Sequence, residues 1–253
     1  MELRHTFNED AINYDRARPG YVSALFEDIL KYRPLDKDSQ ALEIGIGTGQ
    51  ATEPFLKTGC TLTAVEIGDS LADLSRDKFH RYDHFQVIQA DFMDVPLSDD
   101  SLDIVYSATA FHWLPQQQAL QKIKRSLKNG GAIALFWNHP YPNRWEDPSN
   151  VINRRVYAKY RPSDCEIREN TDTEPRARML MDAGFSDVSV HLYSRVRTLS
   201  TEKYIALLNT YSDHRAMPEV IRHAFEEDMR AGLTEVGGHI NIYDTQALYL
   251  GRK

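Results

Sequence analysis

Residues Gln40–Ile44 (QALEI) run directly into Gly45-Ile46-Gly47-Thr48-Gly49-Gln50. A short apolar run that ends in three alternating glycines reads as a strand feeding a tight turn. Glycine reaches backbone angles closed to other residues and lets a ligand approach the main chain. The segment after the turn, roughly Gln50–Lys57 with Pro54 near its start, is expected to be a helix whose amide-rich end faces the bound molecule. A strand–turn–helix unit of this kind belongs to open α/β sheets, where ligands sit beyond the carboxyl ends of the strands.

The rest of the chain extends that pattern. Thr61–Ile67, Phe85–Ala90, Leu102–Tyr106 and Ala132–Trp137 are further short runs with strand character. Helical periodicity separates them at Tyr21–Tyr32, Asp69–Phe79 and Pro115–Lys128, the last stopped by Asn129-Gly130-Gly131. Alternation of this kind implies crossover connections and a mainly parallel sheet covered on both faces. Helices are then expected at Trp145–Tyr160, Glu174–Ala183, Glu202–Tyr211 and Pro218–Leu233, and strands at Val188–Val196 and Ile240–Tyr249. The expectation is one α/β domain whose last two strands finish the sheet, with helices inserted before each.

Composition narrows the partners. A chain of 253 residues can bury a large core without cross-links, and its two cysteines, Cys60 and Cys165, are too few for a disulfide framework. The net charge of −7 speaks against a nucleic-acid partner, which needs a clustered basic face. The longest apolar run, Ala132–Trp137, is far short of a membrane span, and Met1–Asp10 is charged, so neither membrane insertion nor secretion is expected and a cytoplasmic location is. His139, His214 and His239 lack ligand spacing, so no metal site is expected.

Two ligand classes fit the glycine turn. A dinucleotide site wants G-x-G-x-x-G; here Gly45 and Gly47 fit, but the third position falls on Gln50, with Gly49 one residue early. Glu43 stands two places before the first glycine. A carboxylate there would repel a pyrophosphate and favour a cationic nucleoside ligand.

The E-x-G-x-G-x-G run resembles motif I of the class I S-adenosylmethionine-dependent methyltransferases. The likeness is strong over about residues 36–138 and extends to the N-terminal Tyr14-Asp15-Arg16-Ala17-Arg18-Pro19-Gly20-Tyr21. Pro96-Leu97, Asp100-Ser101-Leu102-Asp103 and Ser107-Ala108-Thr109-Ala110-Phe111-His112-Trp113-Leu114 resemble the small-molecule branch, which includes trans-aconitate methyltransferase-like and ubiquinone-biosynthesis methyltransferase-like enzymes. The C-terminal half matches loosely, through Thr210-Tyr211-Ser212 and Tyr243-x-Thr245.

The resemblance implies a seven-stranded, mostly parallel Rossmann-like sheet with its last strand antiparallel. It implies S-adenosyl-L-methionine as cofactor and S-adenosyl-L-homocysteine as product. Residues 1–35 would cover the cofactor, 36–138 bind it, 139–240 supply helical insertions on the substrate side, and 241–253 form the final strand. Glu66, 21 residues after Gly45, would hold the ribose hydroxyls. Asp91 and Phe92 would meet the adenine, and Ser107 the methionine part. Glu43, Gly45, Gly47, Thr48, Gly49 and Ile67 complete the cofactor set. Tyr14 and Arg18 would fold over it, with Arg18 reaching its carboxylate. His112, Trp113 and Tyr211 would border the acceptor, and His112 is the first candidate for a general base.

The reaction so implied is in-line methyl transfer to a small molecule, carried mainly by proximity and orientation. Three alternatives stand beside it: an NAD(P)-dependent oxidoreductase, a non-catalytic cofactor-binding protein, and an RNA or protein methyltransferase. No Tyr-x-x-x-Lys pair supports the first, and no N-P-P-Y-type motif follows the fourth strand to support the last. The acceptor and the oligomeric state have no sequence signature.

Overall fold

Seven strands form one sheet in the computed structural model, which describes residues 11–162 and 172–253. They are β1 (Gln40–Ile44), β2 (Thr61–Glu66), β3 (Phe85–Gln89), β4 (Leu102–Ala108), β5 (Leu127–Tyr141), β6 (Ser186–Ser200) and β7 (His239–Arg252). The order is β3-β2-β1-β4-β5-β7-β6. The first five are parallel, and β7 runs antiparallel between β5 and β6. This is the Rossmann-like methyltransferase arrangement expected. Strand order reverses at β1, whose neighbours are β2 and β4, and a crevice opens there beyond the carboxyl ends.

Period-two alternation sorts side chains onto two cores. Ala41, Leu62, Ile104, Tyr106, Ala134 and Phe136 face α2 (Ser23–Tyr32) and the single turn α3 (Glu53–Leu56). Leu42, Ile44, Val105, Ile133, Leu135 and Trp137 face the other side, under α5 (Gln116–Ser126) and α7 (Glu174–Asp182). The helix α4 (Asp69–Phe79) follows β2 and adds Phe79 to the first core. A third cluster joins α6 (Pro148–Tyr160), α8 (Thr201–Leu208) and α10 (Glu219–Glu235) to the start of β7. The remaining helices are α1 (Ala11–Ala17) and the short α9 (Ser212–Arg215). No helix among the described residues is long and apolar enough to cross a membrane, and no cluster of metal-ligating side chains occurs among them. Cys60 is buried and unbridged, while Cys165 lies outside the described residues.

Three local expectations are corrected. The helix expected over Gln50–Lys57 is only the four-residue turn Glu53–Leu56, because the chain is still turning through Gln50–Thr52 and Pro54 permits only a late start. A single turn supplies little dipole, so the glycine turn itself must do the work assigned to a helix end. The glycines Gly130 and Gly131 do not stop α5; the helix ends at Ser126 and they lie inside β5, whose Leu127 already pairs with Leu102. Finally, β6 extends well beyond Val188–Val196. Its polar end is held because Arg195 and Arg197 both donate to the buried carboxylate of Asp244 on β7.

Candidate active site

The turn after β1 explains its glycines. Gly45 sits at φ +70°, and a Cβ there would lie 2.4 Å from the Cβ of Ala110. Gly49 sits at φ +79°, where a Cβ would lie 2.2 Å from the ring of Phe79. Both conformations are costly for a residue with a side chain, and both sites are closed by neighbours as well. Gly45 therefore lets the loop after β4 approach β1, and Gly49 lets α4 close on the turn. Between them the amide of Gly47 donates to Glu66 Oε2 at 2.9 Å.

Glu66 ends β2 and faces the crevice. Its other oxygen accepts from the Gly68 amide at 3.0 Å. Burial pushes this carboxyl up, against backbone amides of Gly68, Gly47 and Ile67 that pull it down. Each carboxylate oxygen has a second lone pair, so a bound diol can still donate to it.

Around Glu66 the crevice is lined by Gly45, Gly47, Ile67, Asp91, Phe92, His112, Trp113, Arg18 and Tyr211. The Asp91 side chain accepts from the Met93 amide at 2.9 Å and so caps the turn that carries Phe92. The Phe92 ring is buried, with the Lys122 ammonium 4.8 Å above it. Lys122 is itself held by the carbonyls of Phe92 and Met93 at 2.6 and 2.8 Å.

Four residues of the sequence-based set do not line the crevice. Glu43 shares a sheet face with Ala41 and points into the core, where Thr52 and Tyr106 donate to its Oε2 at 2.7 and 2.9 Å. Burial raises its carboxyl to about 8, so it is mostly neutral at pH 7 and cannot attract a cationic ligand by charge. Contrary to the expectation from sequence, Glu43 therefore gives a sulfonium ligand no charge partner. Ser107 is buried, donating to the Ile44 carbonyl at 2.9 Å and tying β4 to β1. Thr48 is buried in the turn, and Gly49 is backed by Phe79. These four shape the cradle from beneath.

The roof comes from the N-terminal segment. Asn13 of α1 donates to the Ala206 carbonyl on α8 at 3.2 Å. Arg18 donates to the Thr210 carbonyl at 2.9 Å and its guanidinium lies 4.6 Å from the Tyr211 ring. On the opposite side, Asp15 pairs with Lys78 of α4 at 2.7 Å, and Lys78 also reaches the Thr48 carbonyl at 2.8 Å. The strap α1 thus bridges the mouth from α8 to α4. Tyr14 lies on α1, and its side chain is outside the described residues.

Sequence reasoning passed over Tyr21, Thr109 and Asn138, which also line the crevice. Thr109 is a β-branched residue at φ +55°, a strained conformation of the kind concentrated at functional sites. Its hydroxyl meets the Tyr21 hydroxyl at 2.6 Å. Asn138 is fixed by Gln246 and Asp244 at 3.0 and 3.2 Å. Nothing in the residues around Thr109 announces a left-handed backbone; for Tyr21 the Arg18-Pro19-Gly20-Tyr21 segment was the available signal. On the acceptor side, the indole Nε1–H of Trp137 donates to His112 Nδ1 at 3.2 Å.

Known proteins share the sequence pattern and the fold. Residues 42–135 match the family model described as a methyltransferase domain. An uncharacterized methyltransferase-like protein of Schizosaccharomyces pombe is 30% identical over 217 residues, spanning 85% of this chain and 80% of the relative. An uncharacterized methyltransferase of the same yeast is 28% identical over 238 residues, spanning 92% and 88%. Among solved structures, the phosphoethanolamine N-methyltransferase 2 of Haemonchus contortus in complex with S-adenosyl-L-methionine shares the fold. Its TM-score is 0.59 at 14% identity, covering 97% of this chain and 57% of that one.

Proposed function

The chain belongs to the S-adenosylmethionine-dependent methyltransferases, and from that premise we propose that its methyl acceptor is a small molecule. One observation carries the proposal. The glycine turn, His112, Trp113 and Tyr211 line one crevice, and the strap of α1 with Arg18 spans its mouth. A roofed pocket walled by aromatic side chains suits an enclosed ligand better than a polymer threaded through an open groove.

The residues present fit the cofactor. Glu66 offers lone pairs to the ribose hydroxyls, and the Gly45–Gly47 backbone allows close approach. Asp91 and Phe92 line the same crevice and would meet the adenine. Bound S-adenosylmethionine supplies a methyl group already activated by the sulfonium charge. What remains for the chain is to bind, orient and exclude water. On this reading residues 1–35 cover the cofactor, 36–138 bind it, 139–240 contribute the acceptor side and 241–253 complete the sheet. The His112–Trp113 turn sets the acceptor against the donor, and the Arg18–Tyr211 stack keeps the pair enclosed.

The test has two stages. Calorimetric titration with S-adenosylmethionine, S-adenosylhomocysteine, NAD and NADP should give heat with the first two alone, lost in Glu66→Ala. Incubation with methyl-labelled cofactor and a panel of small acids, amines and phenols, beside RNA and protein controls, should then place label in a small product. Label in RNA or protein alone would overturn the proposal.

A further inference from the structure

A neutral imidazole has one nitrogen that donates and one that accepts, and its neighbours decide which is which. At His112 the neighbour is Trp137, whose Nε1–H lies 3.2 Å from Nδ1. An indole N–H can only donate. The nitrogen facing Trp137 must therefore be bare, and in the neutral ring the proton sits on the other. Turning the ring over by 180° would set a carbon against the indole N–H and lose this hydrogen bond, so the bond fixes the ring's orientation as well.

Trp137 is held firmly in place. It is buried on β5, its ring meets Tyr249 edge-on at 5.7 Å, and the Arg176 guanidinium of α7 lies 4.4 Å from its face. Among the described residues, no carboxylate bonds to His112 to draw a second proton onto it. Burial first, and Arg176 second, hold its imidazole below the ordinary value. His139, also on β5, is lowered by burial, by Arg176 and by His112. The ring is therefore neutral near pH 7, with its bare nitrogen already taken.

We propose that His112 serves the methyl transfer as a hydrogen-bond donor that orients the acceptor, fixed in that tautomer by Trp137, and that it does not act as the general base. The proposal rests on the methyltransferase reading above. Its chemical consequence concerns the acceptor. The nucleophile's lone pair forms the bond to the methyl carbon, and the carbon–sulfur bond breaks with its electrons passing to sulfur. No proton reaches His112 in that step. The acceptor must bring an atom whose lone pair is free at neutral pH, beside an oxygen able to accept from the imidazole N–H. Trp137 is a positioning residue; only His112 touches the acceptor.

The deciding experiment needs no acceptor. Protein labelled with 15N-histidine and loaded with S-adenosylhomocysteine is examined by long-range 15N–1H correlation at about pH 7.5. The His112 signals are identified by their loss in His112→Gln. The expected pattern is a single neutral tautomer protonated at Nε2, which gives way to a mixture in Trp137→Phe. A proton on Nδ1, or an imidazolium, in the wild type would overturn the proposal. For whichever acceptor the labelled-methyl panel yields, His112→Gln, which keeps an N–H at the Nε2 position, should retain kcat/KM within about tenfold with an unchanged pH profile. His112→Leu should lose far more. Equal loss in both variants, with disappearance of an acidic limb, would restore the base. Failure of the methyltransferase reading itself would show separately, as absence of heat on titration with S-adenosylhomocysteine.

Discussion

Substituting Glu43 by glutamine should make the protein more stable in alkali while leaving it little changed in acid. The carboxyl is fully buried, and burial lifts it from 4.5 to about 8 despite the hydroxyls of Thr52 and Tyr106. Its second oxygen, Oε1, has no hydrogen-bond partner among the described residues. The folded state thus keeps a proton that the unfolded chain releases above about pH 4.5. Stability from this group is complete below that value, declines as pH rises, and is gone once pH passes about 8. Each pH unit between those limits is worth about 1.4 kcal/mol. From about pH 5.5 to about pH 8, the wild type should therefore lose about 3 kcal/mol relative to Glu43→Gln, which cannot titrate. Glutamine also places an unpaired polar atom near Oε1, so the cost of burial there is shared by both proteins. Urea unfolding of the two proteins at matched pH values isolates this group, because the other titrating residues cancel in the difference. A gap that changes by less than about 1 kcal/mol, or that narrows with rising pH, would refute the reasoning.

Two further predictions follow from the cradle and its strap. Gly45→Ala forces a left-handed alanine against Ala110, which should cost about 2–5 kcal/mol by urea unfolding; adding Ala110→Gly should return the steric share, and additive losses would show that the contact is unimportant. Asp15→Ala opens one end of the strap by removing the ion pair with Lys78, and stopped-flow release of S-adenosylhomocysteine should quicken about threefold, in keeping with about 0.6 kcal/mol for a half-exposed pair. Unchanged release would mean that α1 is held by α8 alone.

Much of this was legible in advance, for physical reasons that stop at identifiable residues. Compact apolar runs bounded by glycine or aspartate marked β1, β2 and β4 closely, because a strand buried on both faces admits few alternatives, while the edge strand β3 showed as an alternating run. The spacing from Gly45 to Glu66 was readable because the turn is tied to the end of β2 by the backbone, the Gly47 amide donating to Glu66. Glu43 was misread for the opposite reason. Its alternation with Leu42 and Ile44 puts it on one sheet face, but which face meets α3 depends on Tyr106, 63 residues away. Gly49 offered a similar trap, since a glycine demanded by the Phe79 ring looks the same as one demanded by a ligand. The far end of β6 was hidden by arginines that only Asp244 makes tolerable in a strand. Trp137 and His112 carry no mark of their pairing, which arises only when β5 passes beside the turn after β4.

The position of β7 sets a schedule for the nascent chain. Its Gln246 holds the Val22 amide and Asn138, so the segment joining α1 to α2 and a wall of the pocket both wait for it. During synthesis β5 emerges first and its outer edge stays bare while roughly a hundred residues follow, about 5–20 seconds at ordinary translation rates. In that interval β6 emerges with both of its edges exposed, since among the described residues its one neighbour in the sheet is β7. Long uncovered edges of this kind are an invitation to pair with other chains. The stretch of synthesis just before His239 is thus the period in which this protein most needs protection from its neighbours.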